Sequence, residues 1–328
     1  MAMGCTAEPD PSGSGFGSAE TTAAGDSPVQ AEESGDGSSG SSDDSMAEPD
    51  KLDIPLPGTL GCQKIDFLFV IDNSVSMIDE QQRLIDGFPG FMEEVRSTIE
   101  GFDYHVMVVA TGPEEMSLDP CDNMIGAGRV RDGEGNDCGL LEDILNGERF
   151  VDEGTENLEE AFACIADVGS AGSGDEKTIW SMADAVSKQA VPGLCNEGFL
   201  RDDALLVVTI ITDEDDDPDD GPPLSDSDDN SPGDPELWRA GLVDAKHGDD
   251  EAVVVLALVG DSDQPDGLCE PYVHPDGEGA EPGIRIRELA ESLPYGSWTS
   301  VCRDDYAEFF IEAVADIDTA CTNFDPPG

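Results

Sequence analysis

The chain has 328 residues, with 75 acidic side chains against 15 Lys or Arg, a formal charge of −60 and 38% apolar residues. An acidic surface repels phosphate backbones and anionic headgroups, so the composition excludes nucleic-acid binding and electrostatic adsorption to membranes. The length allows one large domain or two small ones, and part of the charge can serve solvation in a salty or divalent-rich medium.

The amino-terminal residues 1–60 are predicted to form a disordered, acidic, Gly/Ser-rich tether. The first fifty residues hold 18 Gly or Ser, 11 acidic residues and no Lys or Arg. So few apolar side chains cannot offset the entropy of an ordered chain. Near its start, Gly4 and Cys5 followed by this long polar segment resemble the beginning of a mature bacterial lipoprotein. That resemblance implies lipidation at Cys5 and a precursor that starts upstream; the alternative is a free thiol in a flexible tail.

Beyond residue 60, apolar runs of strand length alternate with amphipathic helical patterns. The predicted strands are 65–71, 104–111, 204–212, 252–260 and 297–301. The predicted helices are 77–99, 155–169, 178–190, 234–247, 284–293 and 304–321. Hydrophobic strands that alternate with helices predict an α/β fold over residues 61–328, with a doubly wound, mostly parallel sheet flanked by helices.

Three long insertions interrupt this pattern, at 112–150, 214–234 and 261–283. Their length is typical of functional or mobile loops. The second has ten acidic residues and no basic one, and it directly follows Asp213. We therefore expect it to form an acidic rim over the carboxyl edge of the sheet, either as a solvated loop or as a calcium-binding one.

Eight cysteines follow Cys5, an even number without a C-x-x-C pair, and the three histidines are not at ligand spacing. Four disulfides in an oxidising compartment are therefore expected rather than a zinc site. Eight cysteines allow 105 pairings, so any assignment is a guess. The guessed pairs are Cys62–Cys321, Cys121–Cys138, Cys164–Cys195 and Cys269–Cys302.

The first predicted strand ends in "DNSVS", where Asp72, Ser74 and Ser76 follow a buried apolar run, and a later strand ends at Asp213. Ligands collect outside the carboxyl ends of strands in open α/β sheets, and these oxygens suit one hard cation. "FVIDNSVSM" and "VVTIITDED" resemble the first and third metal loops of the von Willebrand factor type A domain. The resemblance spans 62–321 and implies a metal-ion-dependent adhesion site.

The second metal loop departs from that family, which usually places Thr before the helix. This chain reads "GSAGSGDEKTIWSM", with Thr178 expected inside the helix. The second-loop ligand is therefore either the carboxylate of Glu176 or the hydroxyl of Ser173, and Glu176 is slightly favoured. The same "GSGDE" segment also resembles bacterial secreted proteins with such domains. In the alternative interpretation, the acids of this loop only complement the helix amino terminus.

Oxygen ligands without His or Cys predict a divalent cation, with Mg²⁺ expected first and Mn²⁺ or Ca²⁺ as alternatives. The resemblance implies that an acidic side chain of a partner protein completes the metal shell. No catalysis is expected: Glu176 stands before Lys177 where a phosphate loop needs Gly, and Ser74 stands where an aspartyl phosphatase needs a second acid.

These features predict a divalent-metal-binding type A domain that acts in cell-surface adhesion or another protein–protein interaction. Its expected location is the cell envelope or exterior of a bacterium, as an outer-membrane lipoprotein or in the periplasm. The membrane would be reached only through the lipid anchor. The alternative function is a periplasmic scaffold or assembly factor in which the metal merely ties three loops together.

Overall fold

The computed structural model describes residues 61–112, 119–140, 148–172, 177–216, 231–272 and 279–327. The strands are β1 (Lys64–Ile71), β2 (Asp103–Ala110), β3 (Val151–Asp152), β4 (Leu205–Ile211), β5 (Val253–Val259) and β6 (Tyr295–Ser300). The helices are α1 (Ile78–Thr98), α2 (Leu158–Ala166), α3 (Thr178–Val186), α4 (Pro235–Ala245), α5 (Ile284–Glu291) and α6 (Ala307–Asn323). The sheet order is β3-β2-β1-β4-β5-β6, and every pair is parallel except β2 with β3.

This architecture confirms the predicted α/β fold, a mostly parallel sheet with helices on both faces. All five predicted strands and six predicted helices are present, with ends that differ by a few residues. The antiparallel β3 was not predicted because two residues are too few to carry a hydrophobic period. The predicted tether at 1–60, including Cys5, lies outside the described residues.

Two hydrophobic layers cover the sheet, because successive side chains of a strand point to opposite faces. Phe67 and Phe69 of β1 pack against α1, α2 and α6, whereas Leu68 and Val70 pack against α3, α4 and α5. All four side chains are buried. The continuous apolar run of β1 is thus that of a strand covered on both faces.

Four disulfides join the eight cysteines of the folded part. Cys62–Cys321 and Cys269–Cys302 form as guessed. The guessed pairs Cys121–Cys138 and Cys164–Cys195 are wrong, because the bonds are Cys121–Cys195 and Cys138–Cys164.

The partners of Cys121 and Cys138 differ from the guessed ones because the insertion at 112–150 crosses the edge of the sheet. Its start contacts α3, where Gly126 is so close that an added Cβ would lie 2.6 Å from the backbone nitrogen of Ala185. Its middle packs on the opposite layer, where Cys138 contacts the core that contains α2, and its last residue, Phe150, is back in the layer of α3. Cys121 and Cys138 therefore lie on different faces of the sheet. Cys121 is bonded to Cys195, with a Cα–Cα distance of 5.7 Å, and Cys138 is bonded to Cys164 of α2, with a Cα–Cα distance of 5.6 Å.

A buried ionic cluster lies at the amino edge of the sheet, at the start of β1. The Asp66 carboxylate accepts the Arg201 Nε–H at 2.8 Å and the Arg201 backbone N–H at 2.7 Å. Burial raises the pKa of Asp66 to about 6, and the Arg201 guanidinium opposes that rise. Nearby, Lys246 donates to the Arg201 carbonyl at 2.6 Å. This cluster fixes the segment before β4 against β1.

Within the residues that the structure describes, no helix combines the length and the apolar character that a membrane crossing requires.

Candidate metal centre

The carboxyl ends of β1 and β4 bring the predicted first and third loops together. These strands are neighbours in the sheet, and Ile71 is in register with Ile211. The backbone N–H of Asp72 donates to the Ile211 carbonyl at 3.0 Å. Because both strands run in the same direction, Asp72 and Asp213 emerge at the same edge.

Asp72 is fully buried and is held by hydroxyl and amide donors. Its Oδ1 accepts the backbone N–H of Ser74 at 2.7 Å, and its Oδ2 accepts the Thr212 hydroxyl at 2.6 Å. Burial raises the pKa of this carboxyl, the two hydrogen bonds oppose the rise, and the negative charge of Glu80 adds to it. The side chain is thus fixed in position without a positive charge to neutralise it.

The two predicted serines lie side by side in the first loop. The Oγ atoms of Ser74 and Ser76 are 3.0 Å apart. The Ser76 hydroxyl lowers the pKa of the Asp213 carboxyl. Because β1 and β4 are neighbours in register, the four predicted ligands Asp72, Ser74, Ser76 and Asp213 lie at the same edge of the sheet.

Asp213 is the least compensated member of this cluster. It is 5% exposed, and its Oδ1 is buried without a hydrogen-bond partner among the described residues. Burial, and then the negative charge of Asp72, raise the pKa of Asp213 to about 7. No Lys, Arg or His of the described chain forms an ion pair with Asp72 or Asp213. Buried carboxylates in this situation are neutralised by protons or by bound cations.

The predicted second-loop ligands, Ser173 and Glu176, lie outside the described residues. The residues that flank them are bonded to the site: the Gly172 N–H donates to the Asn73 carbonyl at 3.0 Å, and the Lys177 N–H donates to the Thr111 carbonyl at 3.3 Å. Gly172 lies so close to Asn73 that an added Cβ would be 2.6 Å from its carbonyl oxygen.

Thr178 is the first residue of α3, which confirms that it lies inside the helix.

Three residues that support the site were not predicted. Thr212 donates to Asp72, as described above, and Thr111 donates its hydroxyl to Asn73 Oδ1 at 3.0 Å. Gln81 donates from Nε2 to the carbonyls of Asp72 and Gly169, at 2.9 Å in each case. Both threonines directly follow apolar strands, which was a usable signal. Gln81 lies inside a helical pattern and gives none.

The two ends of the acidic insertion at 214–234 are hydrogen-bonded to each other beside α3. Ser231 donates its backbone N–H to Asp216 Oδ1 at 2.8 Å and its hydroxyl to Asp216 Oδ2 at 2.6 Å. The same carboxylate accepts the Ile179 N–H of α3 at 2.8 Å. The predicted acidic rim between these ends, residues 217–230, lies outside the described residues.

The chemistry of the described donors fits a hard divalent cation. The cluster offers two carboxylates, from Asp72 and Asp213, and two hydroxyls, from Ser74 and Ser76, which are oxygen ligands of the kind that Mg²⁺, Mn²⁺ and Ca²⁺ take. Nowhere among the described residues, this cluster included, do three His, Cys, Asp or Glu side chains form a group suited to a metal ion. The cluster has two carboxylates, and its other oxygens are serine hydroxyls. The unpartnered oxygen of Asp213 is the atom that such a cation would satisfy.

Comparisons with known proteins leave the family open. No family model matches the chain, and no curated protein matches it. Solved structures that it resembles include proximal thread matrix protein 1 from the mussel byssus, with 14% identity, a TM-score of 0.38, and coverage of 80% of this chain and 49% of that one. The chain therefore spans about half of the mussel protein.

Two bacterial structures are similar to a comparable degree. The pilus adhesin SpaC of Lactobacillus rhamnosus GG has 11% identity and a TM-score of 0.37, with coverage of 79% of this chain and 30% of the adhesin. An aerotolerance-related membrane protein from Bacteroides fragilis has 12% identity and a TM-score of 0.34, with coverage of 78% and 99%. Likenesses this weak carry no functional argument.

Proposed function

We propose that this chain is a divalent-cation-binding protein-interaction domain of the von Willebrand factor type A kind. The observation that supports it best is the buried, unpartnered Oδ1 of Asp213 beside the buried carboxylate of Asp72, with the Ser74 and Ser76 hydroxyls between the two loops. A bound cation supplies the positive charge that this cluster lacks. Mg²⁺ is the expected ion, and the second-loop ligand would come from Glu176 or Ser173.

The surface around the cluster suits contact with another protein. Two apolar side chains beside the first-loop serines are exposed, Val75 at 71% and Ile78 at 54%. Exposed apolar residues beside a polar centre are typical of interaction sites. In this proposal, a carboxylate of the partner binds the cation, and apolar partner residues cover Val75 and Ile78.

The burial of the aspartates favours one alternative, a purely structural ion in a scaffold or assembly factor. Asp72 is 0% and Asp213 is 5% exposed, so a cation between them would already be partly enclosed. The two proposals share the metal and differ in whether binding of a partner protein depends on it.

The metal can be tested by titration calorimetry with Mg²⁺ and Mn²⁺. Diffuse binding to the acidic insertion is removed by replacing 217–230 with a short Gly/Ser linker, which the hydrogen bonds between Ser231 and Asp216 make feasible. In that background we expect one site per chain, lost in Asp72→Ala and in Asp213→Ala while the circular dichroism spectrum is retained. A site of unchanged affinity in Asp72→Ala would refute the proposed ligand set.

Partner capture distinguishes adhesion from a structural ion. Purified full chain is incubated with native envelope proteins in Mg²⁺ or in chelator, with Val75→Ser and Ile78→Ser as surface variants. The adhesion proposal expects a specific protein that is retained only in Mg²⁺ and is lost in both surface variants. Capture that persists in chelator, with a folded domain, favours the structural ion.

The four disulfides support an oxidising compartment, so we propose the cell envelope or exterior of a bacterium as the location. Lipidation at Cys5 belongs to the same proposal. It predicts that native protein partitions with membranes and carries an added mass on its amino-terminal peptide. An unmodified Cys5 on native protein would remove the anchor from the proposal and leave the metal site untouched.

The proposal assigns the oxygen cluster to binding and not to catalysis. We therefore expect Mg²⁺-loaded protein to show no phosphatase or nucleotide-hydrolysis activity in standard assays. Activity that is lost in Asp72→Ala would require an enzymatic function instead.

A further inference from the structure

A second candidate binding surface lies on the α3/α4 face of the sheet. A groove of about 550 Å³ runs between α3 and α4. Its apolar lining includes Trp180 and Ala183 from α3, and Leu237, Trp238 and Gly241 from α4 or its start. Grooves of this size with an apolar lining and a few polar groups are typical ligand sites.

The groove is open and its walls are fixed. Leu237 is 59% exposed, and a Cβ added at Gly241 would meet no atom within 4 Å. The Trp238 indole N–H donates to the Pro232 carbonyl at 3.0 Å, and the Arg285 guanidinium lies 4.4 Å from the centre of the same ring. Because the walls are already held in place, a ligand need not order them on binding.

Both signs of charge occur at the groove: Lys177 lies 5.4 Å from the Trp180 ring and Arg285 lies over Trp238, whereas the charged side chains of the lining itself are acidic. Asp184 and Asp244 line it, and Asp184 already pairs with Lys188 at 2.9 Å. Asp244 is exposed, and none of the described Lys, Arg or His residues pairs with its carboxylate. The basic residues near the end of α4 are engaged elsewhere: Arg239 pairs with Asp250, and Lys246 donates to backbone carbonyls. Asp244 is therefore the lining carboxylate that can pair with a cation of a ligand.

We propose that the α3/α4 groove binds a peptide segment of a partner protein in which an apolar side chain is flanked by Lys or Arg. The apolar side chain fills the space above Gly241 between Trp180 and Leu237, and the cation pairs with Asp244. Aromatic-walled grooves that bind such an anchor are a common mode of peptide recognition. The groove is separate from the metal centre, so this binding does not require the cation and stands even if the metal proposal fails.

The test is a selection of phage-displayed random dodecapeptides on the full chain in chelator. Counter-selection uses Gly241→Leu, which fills the open space, keeps the net charge, and replaces a poor helix former with a good one. This step removes peptides that bind only because the chain carries a charge of −60. We expect the survivors to combine an aromatic residue or Leu with Lys or Arg.

Synthetic survivors are then measured by Trp fluorescence and calorimetry. We expect Gly241→Leu to weaken binding at least about tenfold, and Asp244→Asn to weaken it about two- to five-fold. Leu237→Ser should also weaken it, whereas Ile311→Ser should not, because Ile311 is similarly exposed, at 57%, but lies on α6 against the other face. Melting curves confirm that each variant is folded.

Four outcomes would overturn the proposal. One is that no peptide family depends on Gly241, and another is that the dependent peptides are acidic or uncharged. The third is self-association of the wild-type chain that Gly241→Leu abolishes and the peptides do not compete with, which would make a second copy the occupant. The fourth is binding that occurs only after 217–230 is replaced by the linker, which would make the chain's own insertion the occupant.

Discussion

The two edges of the sheet differ in whether the charge of a buried aspartate is compensated. At the amino edge, Asp66 is fully buried and receives two hydrogen bonds from Arg201. At the carboxyl edge, Asp213 is also buried, at 5% exposure, but its electrostatic neighbours are Asp72 and Glu80, both of which raise its pKa. Burial raises the pKa at both places, to about 6 for Asp66 and to about 7 for Asp213.

The difference shows which edge is complete without a ligand. The chain supplies the countercharge for Asp66, so that cluster is structural. No described residue supplies one for Asp213 and Asp72, although hydrogen bonds hold the side chain of Asp72 and the backbone carbonyl of Asp213 in place. A buried charge that is fixed but not neutralised is costly in a structural role and is typical of a site that receives a cation.

The largest effect on stability is expected at the amino edge, from removal of the Arg201 side chain that compensates Asp66. Arg201→Ala removes the cation that is hydrogen-bonded to the buried Asp66 and leaves Lys246 as the remaining countercharge, so the free energy of unfolding should fall by about 3 kcal/mol in urea titrations. Arg239→Ala removes a half-exposed pair with Asp250 and should cost at most about 1 kcal/mol. If Arg201→Ala is as mild as Arg239→Ala, the amino edge is not held by its ion pair.

The next largest effect on stability is expected at the carboxyl edge, where no described residue supplies a countercharge for Asp72 and Asp213. Mg²⁺ at one hundred times its dissociation constant should raise the free energy of unfolding by about 2.7 kcal/mol, because only the folded state holds the site. The measurement is thermal or urea unfolding in Mg²⁺ and in chelator, with 217–230 replaced by the linker. Arg201→Ala should keep this increment, whereas Asp72→Ala should lose it. An equal increment in Asp72→Ala would mean that the ion binds elsewhere.

Asp213→Asn should have effects of opposite sign in the two conditions. In chelator at pH 8 it removes an uncompensated charge. One pKa unit corresponds to about 1.4 kcal/mol, so the full shift sets a ceiling of about 4 kcal/mol, and we expect a gain of roughly half of that. In Mg²⁺ the variant loses a ligand and should be less stable than the wild type. A variant that is destabilised in chelator would contradict the account of Asp213 as uncompensated.

The pH dependence follows from the same carboxyl. The folded pKa of Asp213, about 7, lies above its ordinary value of 3.8, so the folded state binds more protons between these values. In chelator, its contribution to stability is therefore full below pH 4 and is lost as the pH rises towards 7. The difference between wild type and Asp213→Asn isolates this slope from that of Asp66 and from general repulsion. A difference that does not vary with pH would contradict the raised pKa.

The smallest effect on stability is expected for Thr212→Val, with Thr209→Val as the matched control. Thr212→Val removes the hydroxyl donor of Asp72 and should cost about 1–2 kcal/mol in Mg²⁺. Thr209 lies inside β4 and has a buried hydroxyl without a partner in the described structure, so Thr209→Val should be neutral or slightly stabilising. Equal effects of the two changes would show that the Thr212 bond does not support Asp72.

The sequence predicted the sheet because its signal is local: β1, β2, β4 and β5 are continuous apolar runs. It also placed Asp72, Ser74, Ser76 and Asp213 at one edge, since parallel strands end on the same side. It could not pair Cys121 with Cys195, because that bond depends on how the insertion crosses the sheet edge. Nor could it find the role of Arg201, whose partner Asp66 is 135 residues away in the chain.

The central claim is that a divalent cation binds between the first and third loops, and crystals grown in Mn²⁺ test it directly. Anomalous scattering should show a peak within about 2.0–2.6 Å of the Ser74 and Ser76 hydroxyls and a carboxylate of Asp72 or Asp213. The peak should be absent from Asp72→Ala crystals grown in the same way. Well-ordered loops with no peak there, while Mn²⁺ is seen elsewhere on the acidic surface, would contradict the account.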